Sequence, residues 1–174
     1  MATNSNEMHI VVFKLGNEEY CIPVDQVQEI QDYNRERPPR RMPDAPPFIE
    51  GIINLRGQII SVLDLKKRFH LGKVEPARET RFIVVEVGNE KMGILVDAVL
   101  EVLQIQRQAF EPPPTRLTSP IHSAYIAGVG RLKSKGKDGK MEEDADRLVI
   151  LLDIDKILNE DEIDILQSQT PASL

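Results

Sequence analysis

Two aspartates recur at matched places in this chain, Asp25 and Asp97, each closing an Ile-x-Val-Asp run. Paired carboxylates can share one proton and act as acid and base in a two-lobed hydrolase. That chemistry needs a small hydroxyl residue and a glycine after each aspartate, and here Gln26 and Ala98 follow. A turn at the end of a strand accounts for both. His9, His70 and His122 stand in unrelated surroundings, and none forms a metal-ligand spacing with another histidine or with Cys21. The stretch GRLKSKGKD (130–138) has one residue too many between its glycines for a phosphate loop, and Asp138 where Ser or Thr is required. Cys21 lies among strand-forming residues and reads as a small buried hydrophobe. The sequence therefore points to no catalytic apparatus, no metal and no cofactor.

Two basic features remain. RERPPRR (35–41) could contact phosphates, but its prolines and acidic neighbours favour a solvated loop. Arg56 sits in NLRG (54–57), between the apolar runs Ile52-Ile53 and 59–63. Gly57 can close a tight turn and Asn54 suits the turn's first position, so this reads as a β-hairpin with Leu55 and Arg56 at its tip. A charged tip is ordinary for a turn. Spacing alone leaves Arg56 open between a solvated residue and a functional one.

The elements around these residues repeat. Residues 10–15, 20–24 and 27–30 read as strands, with Gly16-Asn17 as a turn and Pro23 at a strand end because it cannot donate to a ladder. The same pattern returns 72 residues later, with nine identities over residues 10–30, among them Asp25 with Asp97, Val27 with Val99 and Glu29 with Glu101. Phe48-Ile49-Glu50-Gly51 is echoed at an offset of 77 by Tyr125-Ile126-Ala127-Gly128, and Leu63-Asp64 at an offset of 89 by Leu152-Asp153. The polar stretch 133–147 causes the growth in offset and is expected to be a long exposed loop.

Internal duplication of a small strand-rich unit predicts an all-β chain of two five-stranded, SH3-like barrels. The expected boundaries are a loose tail over 1–7, a first barrel over 8–79, a second over 80–159, and a C-terminal helix and tail over 160–174. Exchange of strands between the repeats is left open. Short helices are expected within 64–70 and 151–158, capped by Asp64 and by Asp153 or Asp155, with a last amphipathic helix near 160–168. Proline-rich joints at 38–47 and 112–114 fall at equivalent points of the repeats, and the lobes are expected to meet near 72–80.

The composition suits this picture. Forty-one per cent of the chain is hydrophobic and 29% charged, with a net charge of −6 and no Trp, which disfavours a dedicated nucleic-acid binder. No N-terminal signal segment and no apolar run of about 20 residues are seen, so a cytoplasmic protein without membrane insertion is expected. What remains for function is surface. Val27, Ile30, Val99 and Val102 occupy matching strand positions; the core is their default place, but any that face outward would line an apolar groove at the lobe junction, where a partner helix could lie.

Taken together, GNEEYCIPVDQVQEI (16–30), FIEGIINLRGQIISVLDLKKRF (48–69), MGILVDAVLEVL (92–103) and RLVILLDIDKIL (147–158) resemble the chemotaxis coupling proteins of the CheW family, in order over about residues 8–160. The resemblance implies a non-catalytic adaptor that couples transmembrane chemoreceptors to the histidine kinase CheA, or to the kinase of a non-flagellar chemosensory pathway. It implies a receptor hairpin tip in the groove, at Val27, Glu29, Ile30, Arg56 and Val99, with Glu29 pairing Arg56. It implies that the kinase's regulatory domain docks near Gly51 and Gly57. Such a protein would be monomeric in isolation and held at the inner face of the membrane within receptor arrays. The departures from the family pattern are the longer Pro-Arg loop (34–47) and the 133–147 insertion.

Overall fold

The structure, a computed structural model, describes residues 6–113, 124–135, 141–159, 161–163 and 165. Short runs of β-branched and aliphatic residues, broken by Gly-Asn and Arg-Gly turns, form eleven strands among these residues: β1 (Glu7–Leu15), β2 (Glu18–Pro23), β3 (Val27–Asp32), β4 (Ile49–Leu55), β5 (Gln58–Asp64), β6 (Arg81–Val87), β7 (Glu90–Val96), β8 (Ala98–Gln106), β9 (Phe110–Glu111), β10 (Ile126–Lys135) and β11 (Met141–Leu152). One short helix, α1 (Leu65–Arg68), follows β5.

The strands form two sheets, ordered β8-β1-β2-β11-β10-β9 and β3-β6-β7-β5-β4. The chain is all-β as expected. One sheet has the five strands foreseen, and the other gains the two-residue β9 at its edge. The sheets cut across the repeats, so neither 8–79 nor 80–159 supplies a whole sheet. The first hairpin, β1–β2, joins strands of the second repeat through a parallel contact of β2 with β11. The corresponding hairpin, β6–β7, joins strands of the first repeat through a parallel contact of β7 with β5.

Strand alternation then gives each hairpin two apolar faces. One face of β1–β2, with Ile10, Val12 and Cys21, fills the interior of the six-stranded sheet. The other, with Val11, Phe13 and Ile22, meets Ile83, Val85 and Ile94 of β6–β7 in one core shared by both sheets. Burial pushes the Cys21 thiol up to about 12, consistent with a packing residue and not a nucleophile.

Asp64 shows how a buried charge fixes the local chain. It is 1% exposed. Its Oδ1 accepts from the N–H groups of Lys66 and Lys67, capping α1, and its Oδ2 accepts from Val74 N at 2.9 Å. Burial pushes its carboxyl above the ordinary range, and these three N–H donors pull the other way. Its repeat counterpart, Asp153, caps the 3-10 turn Ile154–Lys156.

One expectation changes here. The 133–147 insertion is not one long loop: β10 and β11 run through most of it, with Lys133 opposite Asp146 and Lys135 opposite Met141. A polar two-stranded ribbon satisfies its own ladder and needs no buried face to continue. The C-terminal helix is present at 161–163 and 165, whereas Leu166 lies outside the described residues. Glu162 docks it by a bidentate pair with Arg68 at 2.8 and 3.0 Å, and Asn159 and Glu162 cap each other's backbone N–H.

Replacing Asp64 with Ala removes the cap and strands the Val74 N–H, so denaturant unfolding should show a loss of about 2–4 kcal/mol. A loss under about 0.5 kcal/mol, the range of an ordinary surface change, would contradict this role.

Candidate functional site

The β4–β5 hairpin turns one residue later than its sequence suggested. Leu55 pairs with Gln58, and the two-residue tip is Arg56-Gly57, with φ of 51° and 85°. Two positive φ values give the primed turn whose twist matches the flanking strands, and this decides the register. Asn54 is not the turn's first residue; its side-chain Oδ1 accepts from Gly57 N at 2.9 Å. Arg56 is thus a non-glycine residue in left-handed backbone, a conformation costing about 1–2 kcal/mol.

That backbone aims Arg56 at Glu29 on β3. Nη1 lies 3.2 Å from Oε2, and the side chains are 75% and 26% exposed. Glu29 also accepts from Gln31 Nε2 at 2.7 Å. An ion pair this exposed contributes about 0–1 kcal/mol, so Arg56 can exchange Glu29 for another carboxylate at little cost.

Glu101, the repeat counterpart of Glu29, is also held by an arginine, but one that the repeat pattern did not reveal. Arg147 donates to Glu101 through Nη1 and to Glu19 through Nε and Nη2, and it is 26% exposed. The hydrogen bonds to Glu19, followed by those to Glu101, hold its guanidinium proton more firmly than in a free arginine, against the opposing effect of burial. The 89-residue offset sets Arg147 at the place of Gln58, one strand position from the Arg56-Gly57 tip. The two repeats therefore hold the same glutamate in opposite ways, one with a replaceable arginine and one with an arginine clasped by two carboxylates.

The apolar candidates divide between core and surface. β3 and β8 are the outermost strands of their respective sheets. Val27 and Val99 are half-buried and pack on the shared core. Ile30 and Val102 are 39% and 56% exposed, and Leu100 beside Val102 is exposed as well. In register, Ile30 sits opposite Ile83 and Val102 opposite Val11, so on each side the shared core's apolar face continues outward onto an edge strand. Val27, Glu29, Ile30 and Arg56 thus come together at β3, and Val99 belongs to the equivalent ledge on the other sheet.

Gly51 lies at the far end of β4 from Gly57. Its φ is +147°, and a Cβ there would stand 2.1 Å from Arg40 O. Arg40 N donates to Ile52 O at 2.9 Å and Ile52 N to Arg40 O at 2.8 Å, so Gly51 lets the Pro-Arg segment pair with the edge of β4. In the second repeat Gly128 lies under Glu111, with β9 paired at Val129 and Gly130. In the first repeat the proline-rich joint, and in the second the two-residue β9 just before it, thus cover part of an otherwise open strand edge beside a glycine.

The chemistry weighed at Asp25 and Asp97 does not assemble. Asp97 accepts from Gly16 N at 2.6 Å and pairs with Lys66 at 3.3 Å. Asp25 lies in the turn Val24–Gln26, beside an open recess of about 510 Å³ lined also by Glu7, His9 and Arg107. Among the described residues no group of three or more His, Cys, Asp or Glu could hold a metal ion, and no helix is long and apolar enough to cross a membrane.

Comparison with known proteins settles the family. The profile described as CheW-like domain matches residues 9–162. The chain belongs to the CheW-like family. It is 33% identical over 158 residues to the chemotaxis protein CheW of Klebsiella aerogenes, covering 91% of this chain and 86% of that protein. It is 34% identical over 167 residues to chemotaxis protein CheW of Treponema pallidum, covering 94% and 89%. The crystal structure of the scaffolding protein TtCheW from Thermoanaerobacter tengcongensis superposes with a TM-score of 0.72 at 34% identity, over 93% of this chain and 96% of that one. The two-sheet, mostly-strand architecture is therefore that of a CheW scaffold protein of chemotaxis.

The unequal arginines predict unequal variants. Arg147→Ala leaves two half-buried carboxylates facing each other and should lower unfolding free energy by about 1–3 kcal/mol, whereas Arg56→Ala should change it by less than about 1 kcal/mol. Equal losses in parallel denaturant titrations would contradict the contrast. Gly51→Ala should abolish hydrogen-exchange protection of the Arg40 and Ile52 amides, and unchanged protection would show that the Pro-Arg segment does not depend on that glycine.

Proposed function

We propose that this CheW-like chain is a non-catalytic connector between the cytoplasmic hairpin tip of transmembrane chemoreceptors and a histidine kinase of the CheA type, working at the inner face of the membrane through receptor arrays. The observation that carries the reading is the pair of apolar ledges on β3 and β8, Val27 with Ile30 and Val99 with Val102, flanking one shared core. A helix presents its apolar residues as a stripe, and two aliphatic ledges suit such a stripe. Beside the first ledge, Arg56 offers a cation whose present partner is exposed and replaceable. The kinase's regulatory domain is assigned to the β4–β5 hairpin, with Gly51 and Gly57 at its two ends. Coupling is then mechanical: both partners grip one body whose sheets cannot move independently without opening the shared core.

The test is reconstitution of the chain with a CheA-type kinase and a receptor cytoplasmic fragment. Arg56→His should melt within about 1 kcal/mol of the parent and lower receptor-stimulated kinase activity severalfold. Full stimulation by a folded Arg56→His variant would remove Arg56 from the site, and binding of the parent to neither partner would end the proposal.

A further inference from the structure

The turns of the two equivalent hairpins, Gly16 between β1 and β2 and Gly88 between β6 and β7, have φ of 62° and 56°. They are held in place differently. Gly16 N donates to Asp97 Oδ2 at 2.6 Å, and a Cβ on Gly16 would meet nothing within 4 Å. A Cβ on Gly88 would stand 2.9 Å from Cδ1 of Ile163, which belongs to the C-terminal helix. That helix therefore lies against the second turn, in space that the first turn leaves open.

The same side chain faces the β4–β5 hairpin. The ladder of β5 with β7 runs from Ser61 to Asp64, so Gln58, Ile59 and Ile60 extend past it. The Arg56-Gly57 tip is carried by this overhang, and β4 on its far side is the outermost strand of the sheet. Ile163 is half-buried, packs on the shared core and lines one narrow cavity with Ile59, Ser61, Lys91 and Leu158. Lys91 Nζ donates to Gln58 Oε1 at 3.1 Å beside that cavity. The overhang is thus backed by Lys91 of β7 and by Ile163 of the helix.

The helix itself is latched to the segment that follows β5. Arg68, the last residue of α1, holds Glu162 through both terminal nitrogens and donates from Nε to Ile157 O at 2.8 Å. Its guanidinium lies 4.2 Å from the Phe48 ring and 5.1 Å from the Tyr125 ring, which fixes its plane.

We infer that the C-terminal helix positions the Arg56-Gly57 tip, with Ile163 as the positioning residue and the Glu162–Arg68 pair as its latch. Without Ile163 the overhang loses its apolar backing, and the tip no longer holds one orientation. The consequence for kinase binding rests on the assignment of the kinase to this hairpin; the consequence for the tip does not.

Hydrogen exchange of the full chain, paired with titration of a CheA-type kinase, tests this. Ile163→Ala should speed exchange of the Gly57 and Gln58 amides severalfold more than that of Val11 and Val12, and weaken kinase binding severalfold. Ile163→Leu refills the cavity and should restore both. Gly16→Ala puts the same backbone strain into the equivalent turn without meeting a side chain, so it should lower global stability without singling out the tip or kinase binding. Should Ile163→Ala fail to fold, Glu162→Gln keeps the reciprocal cap, gives up the charged pair and should loosen the tip to a smaller extent. Gly57 and Gln58 exchanging as slowly as in the parent, or speeding equally in Gly16→Ala, overturns the inference. Unchanged kinase binding by a chain with a loosened tip also overturns it. A parent that binds no kinase would end the functional reading, and the exchange comparison alone would then decide whether the helix positions the tip.

Discussion

Two parallel contacts, β2 with β11 and β5 with β7, hold together pieces of chain from different repeats, and the rest of the structure depends on them. Each repeat gives its first hairpin to the other's sheet. Every such hairpin is then apolar on both faces, one filling its own sheet's interior and one entering the common core. A chain of two independent barrels could hinge at a linker. Here a hinge would have to separate Phe13, Ile22, Ile83 and Ile94, and burying side chains of that size contributes about 1.5–3 kcal/mol each. Rigidity between the two apolar ledges is therefore a consequence of topology and not of any one residue.

On that rigid frame the two repeats treat one position differently. Glu29 and Glu101 occupy the same place on equivalent edge strands, and both are held by an arginine from the neighbouring hairpin. In the first repeat the hairpin is closed by two residues, and Arg56 sits in the turn itself, exposed and bound to one carboxylate. In the second repeat the strands of the hairpin are longer, and Arg147 within β11 takes up Glu101 and Glu19 together. A cation with one exposed partner can be shared with an incoming protein; one clasped by two carboxylates is committed to the fold. Pseudo-symmetry in the backbone thus coexists with a single adaptable ion pair.

Much of this was legible in the sequence because it rests on local pattern. The 72-residue repeat, the strand runs, Pro23 at a strand end, the cap at Asp64 and the pairing of Glu29 with Arg56 all follow from residue type, spacing or family resemblance. What was not legible depends on contacts distant in sequence. The hairpin tip moved by one residue because the twist of paired strands selects Arg56-Gly57. The 133–147 stretch looked like a loop because its polar residues carry no apolar alternation, yet an antiparallel ladder can continue without it. Arg147 was hidden because the insertion changed the offset from 77 to 89. The strand exchange has no signature in composition or period, since both hairpins read alike wherever they pair. Gly51 carried a partner assignment by resemblance, and its demand for a missing Cβ appears only once Arg40 is seen to cross it.

The central claim is that the β3 and β8 ledges form one partner-binding groove on a body that moves as a unit. The most direct measurement is hydrogen exchange of the full chain, alone and saturated with a receptor cytoplasmic fragment. The account requires joint slowing of the amides over residues 27–30 and 99–102, with the shared-core amides of β1 and β6 already protected without the fragment. Slowing on only one of the two edge strands, or at neither while the fragment is bound, would contradict it.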